Sequence, residues 1–89
     1  MGRIEQAKPW CAVVAETRHI AEQYIDAFGL SREIWEPRTY GESTRGLRYD
    51  RIVMIRPHWR VTGEQYTAFQ QQAAPWMRVV APDGHFKII

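Results

Sequence analysis

The sequence predicts a small α/β domain: a two- or three-layer sheet of four or five mostly parallel strands, in the order β-α-β-β-α-β-β, closing with a C-terminal hairpin. Three observations carry this reading. An apolar run of strand length at residues 10–15 leads straight into a segment with helical spacing. A second run at 52–55 leads through a short loop into another such segment. Turn-forming residues separate the runs throughout. Strands alternating with helices of this length pair in parallel through crossovers. At 89 residues the chain holds one core and is too short for two, so residues 1–89 are expected to form a single domain.

Each element has its own justification. Trp10-Cys11-Ala12-Val13-Val14-Ala15 suits a strand buried on both faces. Thr17 offers a helix N-cap, Ile20, Ala21, Tyr24, Ile25 and Phe28 then recur at helical spacing, and Gly29 stands where a C′ glycine ends a helix. Ile34-Trp35-Glu36-Pro37 reads as a short strand. Pro37 lacks a ladder donor, so this strand should lie at an edge or stop there. Residues 40–46 form a loop rich in Gly, Ser and Thr. Ile52-Val53-Met54-Ile55, bracketed by Arg51 and Arg56, should be a central strand with Val53 and Ile55 buried. Thr62-Gly63-Glu64-Gln65 fits a capping box with Thr62 as N-cap, and Val61 and Tyr66 sit at staple positions. Tyr66, Phe69 and Ala73 make the apolar stripe of the second helix, which Pro75 should end. Arg78-Val79-Val80-Ala81 reads as a strand, Pro82-Asp83-Gly84 as a turn, and Phe86-Lys87-Ile88-Ile89 as the returning hairpin partner.

The net charge of +2 is small, but its distribution is uneven. Arg45, Arg48, Arg51, Arg56 and Arg60 against Asp50 alone leave residues 45–60 at +4 and the remainder at −2. Lys8 and Lys87 are the only lysines, and arginine suits bidentate contacts to phosphate or carboxylate. The single Cys11 excludes an intramolecular disulfide and reads as a small buried hydrophobe. The first residues lack the apolar core of a signal peptide, and no run approaches the ~20 apolar residues of a membrane span. A cytoplasmic protein without membrane contact is expected.

The glycines are scattered and build no phosphate-binding loop, so neither ATP, NAD nor another cofactor is expected. His19, His58 and His85 lack metal-ligand spacing, and no metal site is assigned. Ser43, His58 and Asp50 have the residue types of a triad without a nucleophile elbow, so no catalytic residue is assigned and the chain is read as a non-enzyme. Glu33, Glu36 and Glu42 read as a solvated face. Ligands of open parallel sheets bind beyond the carboxyl ends of the strands. Those ends supply Thr17 and Arg18 from the first strand and Arg56, His58, Trp59 and Arg60 from the central one. With Arg45 and Arg48 from the preceding loop, these form the candidate interaction set.

Val13-Val14-Ala15-Glu16-Thr17-Arg18-His19-Ile20-Ala21 resembles the strand–Thr-Arg–helix segment that contacts nucleic-acid backbone in DEAD-box-like proteins. Ser43-Thr44-Arg45-Gly46-Leu47-Arg48-Tyr49-Asp50-Arg51-Ile52-Val53 resembles the Arg-Gly-Leu segment ahead of a buried strand in helicase domains. Glu16 replaces the usual Pro, and Arg56-Pro57-His58-Trp59 replaces the acidic pair that holds magnesium. The resemblance implies a reduced RecA-like, helicase-type core that lacks the ATP site. In style the chain also resembles small accessory proteins of actinobacterial phages. Two functions follow as expectations. The first is a non-enzymatic protein-interaction module, acting on a host factor or self-associating, with Trp10, Trp35, Trp59 and Trp76 as candidate anchors. The alternative is a nucleic-acid-binding module.

Overall fold

The computed structural model describes residues 10–57 and 63–89. Its elements are β1 (Cys11–Ala15), α1 (Arg18–Ala27), β2 (Trp35–Thr39), β3 (Tyr49–Met54), α2 (Glu64–Met77) and β4 (Val80–Ile88). The four strands form one sheet in the order β2-β1-β3-β4, and every pair is parallel. All five residues of β1 are buried, as suits a strand with neighbours on both sides and a layer on each face. Pro37 sits in β2 at the sheet edge, and the strand runs on past it to Thr39.

Alternate residues of the strands separate two cores. Val13 and Ala15 pack with Ala21 and Ile25 of α1. Ala12, Val14, Ile52 and Met54 pack with Phe69, Ala73 and Trp76 of α2. The helices therefore cover opposite faces, and the domain has three layers. Helix α1 begins as its sequence dictates: Thr17 Oγ1 accepts from the Ile20 amide at 3.2 Å. It ends in a Schellman turn, with Gly29 at φ 63° donating to Asp26 and the Leu30 amide donating to the Ile25 carbonyl at 2.9 Å.

Four expectations are corrected. The C-terminal hairpin is replaced by one strand, Val80–Ile88, parallel to β3 throughout. Val80 pairs with Tyr49 and His85 with Arg51, so residues 81–84 bulge opposite Asp50 alone. Pro82-Asp83-Gly84 thus absorbs surplus length inside a strand instead of reversing the chain. Gly84 makes this geometry accessible, because a Cβ there would lie 2.4 Å from the Asp50 carbonyl oxygen.

Helix α2 has Gly63 as its N-cap, at φ 54° and without a side-chain cap; Thr62 of the expected capping box and Val61 of the expected staple lie outside the described residues. Pro75 does not end α2, which continues to Met77. Proline forfeits a bond to the carbonyl of Gln71, but Gln71 is exposed to water, and the fully buried Trp76 holds the last turn. The buried stripe is Phe69, Ala73 and Trp76, while Tyr66 is exposed, as is Phe28 beyond the end of α1. Finally, Val53 and Ile55 are only half-buried, whereas Ile52 and Met54 are the buried pair of β3. The reason lies in what covers each face.

Candidate interaction surface

Strand register places side chains in rows across the α1 face. Trp35, Cys11, Arg51 and His85 form one row, and Pro37, Val13, Val53 and Lys87 the next. Ile55 and Ile89 continue the pattern just beyond β3 and β4, where the Ile89 amide donates to Met54 and the Arg56 amide to Ile89. Helix α1 packs chiefly on β1 and β2, and beyond β3 Ile55 alone is packed against the core beneath it among the described β3–β4 side chains. The β3–β4 half of this face therefore has no covering layer among the described residues, and its burial falls accordingly. Cys11 and Val13 are buried, whereas Arg51, His85 and Lys87 are exposed and Val53 is half-buried. A parallel sheet normally carries helices on both faces, so a bare half-face is an unusual feature.

The bare half is grooved. A hollow of about 280 Å³ lies between Trp35, Arg51, Val53, His85 and Lys87. A larger one of about 900 Å³ lies at the amino ends of the strands, lined by Trp10, Arg48, Asp50 and the bulge of β4, and it shares Arg51 and His85 with the first. The two hollows adjoin at these shared residues. Arg51 and Lys87 enter no ion pair among the described residues; the pairs present belong to Arg18, Arg32 and Arg38. Cys11 sits beside Arg51 in the first row, but burial pushes its thiol pKa up, which makes it a poor nucleophile.

The opposite face is closed at β2 by charge. Arg38 donates to Glu36 from Nε and Nη2 at 3.0 and 2.8 Å, and to Glu42 from Nη1 at 2.9 Å. Glu42 also accepts from the Thr39 amide at 2.8 Å and the Thr39 hydroxyl at 3.1 Å, and the Tyr49 hydroxyl donates to Glu36. Burial works against the Arg38 charge, yet its hydrogen bonds to Glu42 and Glu36 outweigh it and raise its pKa. Burial also opposes ionisation of Glu42, but its bonds to Arg38 and Thr39 win and hold its pKa below the ordinary value. Tyr49 is pushed up by burial and by its bond to Glu36. This cluster, with the Trp76 Nε1–H donating to the Tyr40 carbonyl at 3.2 Å, fastens the helix-free connection from β2 to β3 over the sheet. Glu36 and Glu42 are therefore paired and partly buried instead of forming a solvated face. A Glu-x-Arg pair on one face of a strand, followed by Glu42 four residues after Arg38, is the signal that marks them.

The candidate interaction residues divide between the two ends of the sheet. Thr17, Arg18 and Arg56 follow the carboxyl ends of β1 and β3, while Arg45 and Arg48 precede the amino end of β3. The six residues of β3, roughly 20 Å, separate the groups. Thr17 is occupied as a helix cap and Arg18 pairs with Glu22 at 3.4 Å. His58, Trp59 and Arg60 lie outside the described residues. Of the described members of the set, Arg48 alone lines the groove, together with Trp35 and Trp10 from the candidate anchors and with Arg51, His85 and Lys87, which sequence reasoning did not select. Comparison with family models, with curated proteins and with solved structures returned no match to this chain.

Proposed function

We propose that this chain is a protein-interaction module that acts by binding rather than by chemistry, and that the bare β3–β4 half-face is its contact surface. The observation that carries this reading is that no layer covers this half-face among the described residues. On one face of one sheet, the half under α1 is sealed, with Trp35 and Ile55 packed against its core, while the other half leaves Val53 and Ile89 accessible. A sheet face of this kind gains most of its stabilisation from an apolar layer, and an aromatic–arginine groove is the composition of binding hot spots. The unpaired Arg51 and Lys87 support a second reading, contact with nucleic acid, although the apolar centre of the face offers phosphate nothing.

A photo-crosslinking residue in place of Lys87, with one at the exposed Gln72 on α2 as control, separates the two readings in lysate of the source cells. Protein adducts at position 87, absent at 72 and lost on Val53→Glu, are the expected result. Nucleic-acid adducts at 87, or no site-dependent adduct, would overturn the proposal.

A further inference from the structure

Resting on that reading, we infer that the occupant of the half-face is an acidic amphipathic helix of a partner protein. Width is the first argument. Two strands about 4.8 Å apart present a strip that one helix of about 10 Å diameter covers. This is also how α1 covers β1 and β2 in the same sheet. Length is the second. The step from Arg51 to Val53 to Ile55 is about 13 Å along the strand, which a helix spans in about nine residues. Anchors at i, i+3/i+4 and i+7 match that length.

Charge decides the partner's sequence. No Asp or Glu side chain stands in the rows of this face, and Arg51, His85 and Lys87 all point out of it. Asp50 and Asp83 line only the hollow beyond the first row. The face is also polarised along the strands: Arg51 and His85 at the amino end, Val53 and Lys87 in the middle, Ile55 and Ile89 at the carboxyl end. The occupant therefore carries carboxylates toward Arg51 and Lys87 and its apolar stripe toward Val53, Ile55 and Ile89. A helix running antiparallel to the strands, as crossover helices do, also turns its negative dipole end to Arg51 and His85. A second copy of this chain is a poor occupant by twofold contact, because it would set these cations against themselves.

The probe is a lactam-stapled 14-residue helix with Leu at i, i+4 and i+7 and Glu on both flanks. Its counterpart carries Lys for Glu, and binding to the whole chain is followed by fluorescence anisotropy and by amide chemical shifts. The Glu peptide should bind at least tenfold tighter than the Lys peptide and shift amides of β3 and β4. Arg51→Glu with Lys87→Glu should weaken it at least tenfold, while Arg45→Glu should leave it within twofold. Equal affinity for both peptides, shifts confined to α2, tighter binding of a 14-nucleotide single strand, or a concentration-dependent dimer that buries β3 would each overturn the inference. If the crosslinked protein at position 87 instead presents a neutral strand or a basic helix, this inference fails while the interaction reading stands. Absence of any protein adduct removes both.

Discussion

Arg38→Met isolates the charge cluster that holds the helix-free crossover in place. Methionine keeps the length and apolar stem of the side chain but leaves the carboxylates of Glu36 and Glu42 without their cation. Three hydrogen bonds to charged acceptors are lost, at 3.0, 2.8 and 2.9 Å. Bonds of this kind contribute about 1.5–3 kcal/mol each. The side chains of Arg38, Glu36 and Glu42 are 27%, 23% and 31% exposed, so water recovers part of that loss. A net cost of about 2–4 kcal/mol follows, a large fraction of the ~5–13 kcal/mol expected for a chain of this length. Urea denaturation at pH 7 reads it directly. Neutralising the acids in the same background, Glu36→Gln and Glu42→Gln, should return most of the loss, because the cost lies in unpaired charge. The pH dependence has a fixed sign. Glu42 has a lower pKa folded than its ordinary 4.5, so its stabilisation is complete above about 4.5 and is lost as pH falls through the folded value. Wild type and Arg38→Met should therefore converge in acid. A penalty within 0.5 kcal/mol (roughly the error of the measurement) at pH 7, or a triple variant no more stable than Arg38→Met, would refute the argument.

The bulge and the two faces of β3 give the other tests. Gly84→Ala would put a methyl group 2.4 Å from the Asp50 carbonyl oxygen and 2.8 Å from Val80 Cγ1, and backbone yields little, so a loss of about 1–3 kcal/mol in urea is expected. Ile52→Ala, at a position 1% exposed, should cost about 2–5 kcal/mol, whereas the same change at half-buried Val53 should cost less than half as much. Equal costs in thermal or urea unfolding would mean that both faces of β3 are covered.

Local signals made much of the framework readable. Thr17 and Gly29 each have a backbone duty, a cap bond and a positive φ, that few other residues perform, so the ends of α1 could be read without knowing its neighbours. Pro37 likewise announced an edge strand. The signals that failed were those whose meaning depends on partners distant in sequence. Pro82-Asp83-Gly84 has the composition of a reverse turn. Whether it turns or bulges depends on β3, thirty residues earlier, offering a parallel ladder on both sides of it. Pro75 reads as a stop until Trp76 is known to be buried against Tyr49 and the Tyr40 carbonyl.

The proposed contact surface was hidden for the same reason, in a stronger form. A run such as Ile52-Val53-Met54-Ile55 states that a strand has apolar residues on both faces, not that both faces are covered. Cover is a property of the connections. The β1–β2 connection contains α1 and the β3–β4 connection contains α2, on opposite faces, while residues 40–48 join β2 to β3 without a helix. Two helices cannot seal both faces of four strands, and the Arg38 cluster closes only the α2 side near β2. Among the described residues, what remains open is the α1 face of β3 and β4. Its side chains show the consequence: Arg51, His85 and Lys87 alternate with the inward Ile52, Phe86 and Ile88. The charges of Arg51 and Lys87, on neighbouring parallel strands, would be costly beneath a hydrophobic layer. They are compatible with a layer that is absent or that brings opposite charges of its own. The first alternative leaves half-buried Val53 and exposed Ile89 facing water, and the second covers both. That asymmetry favours a binding surface over a merely solvated one.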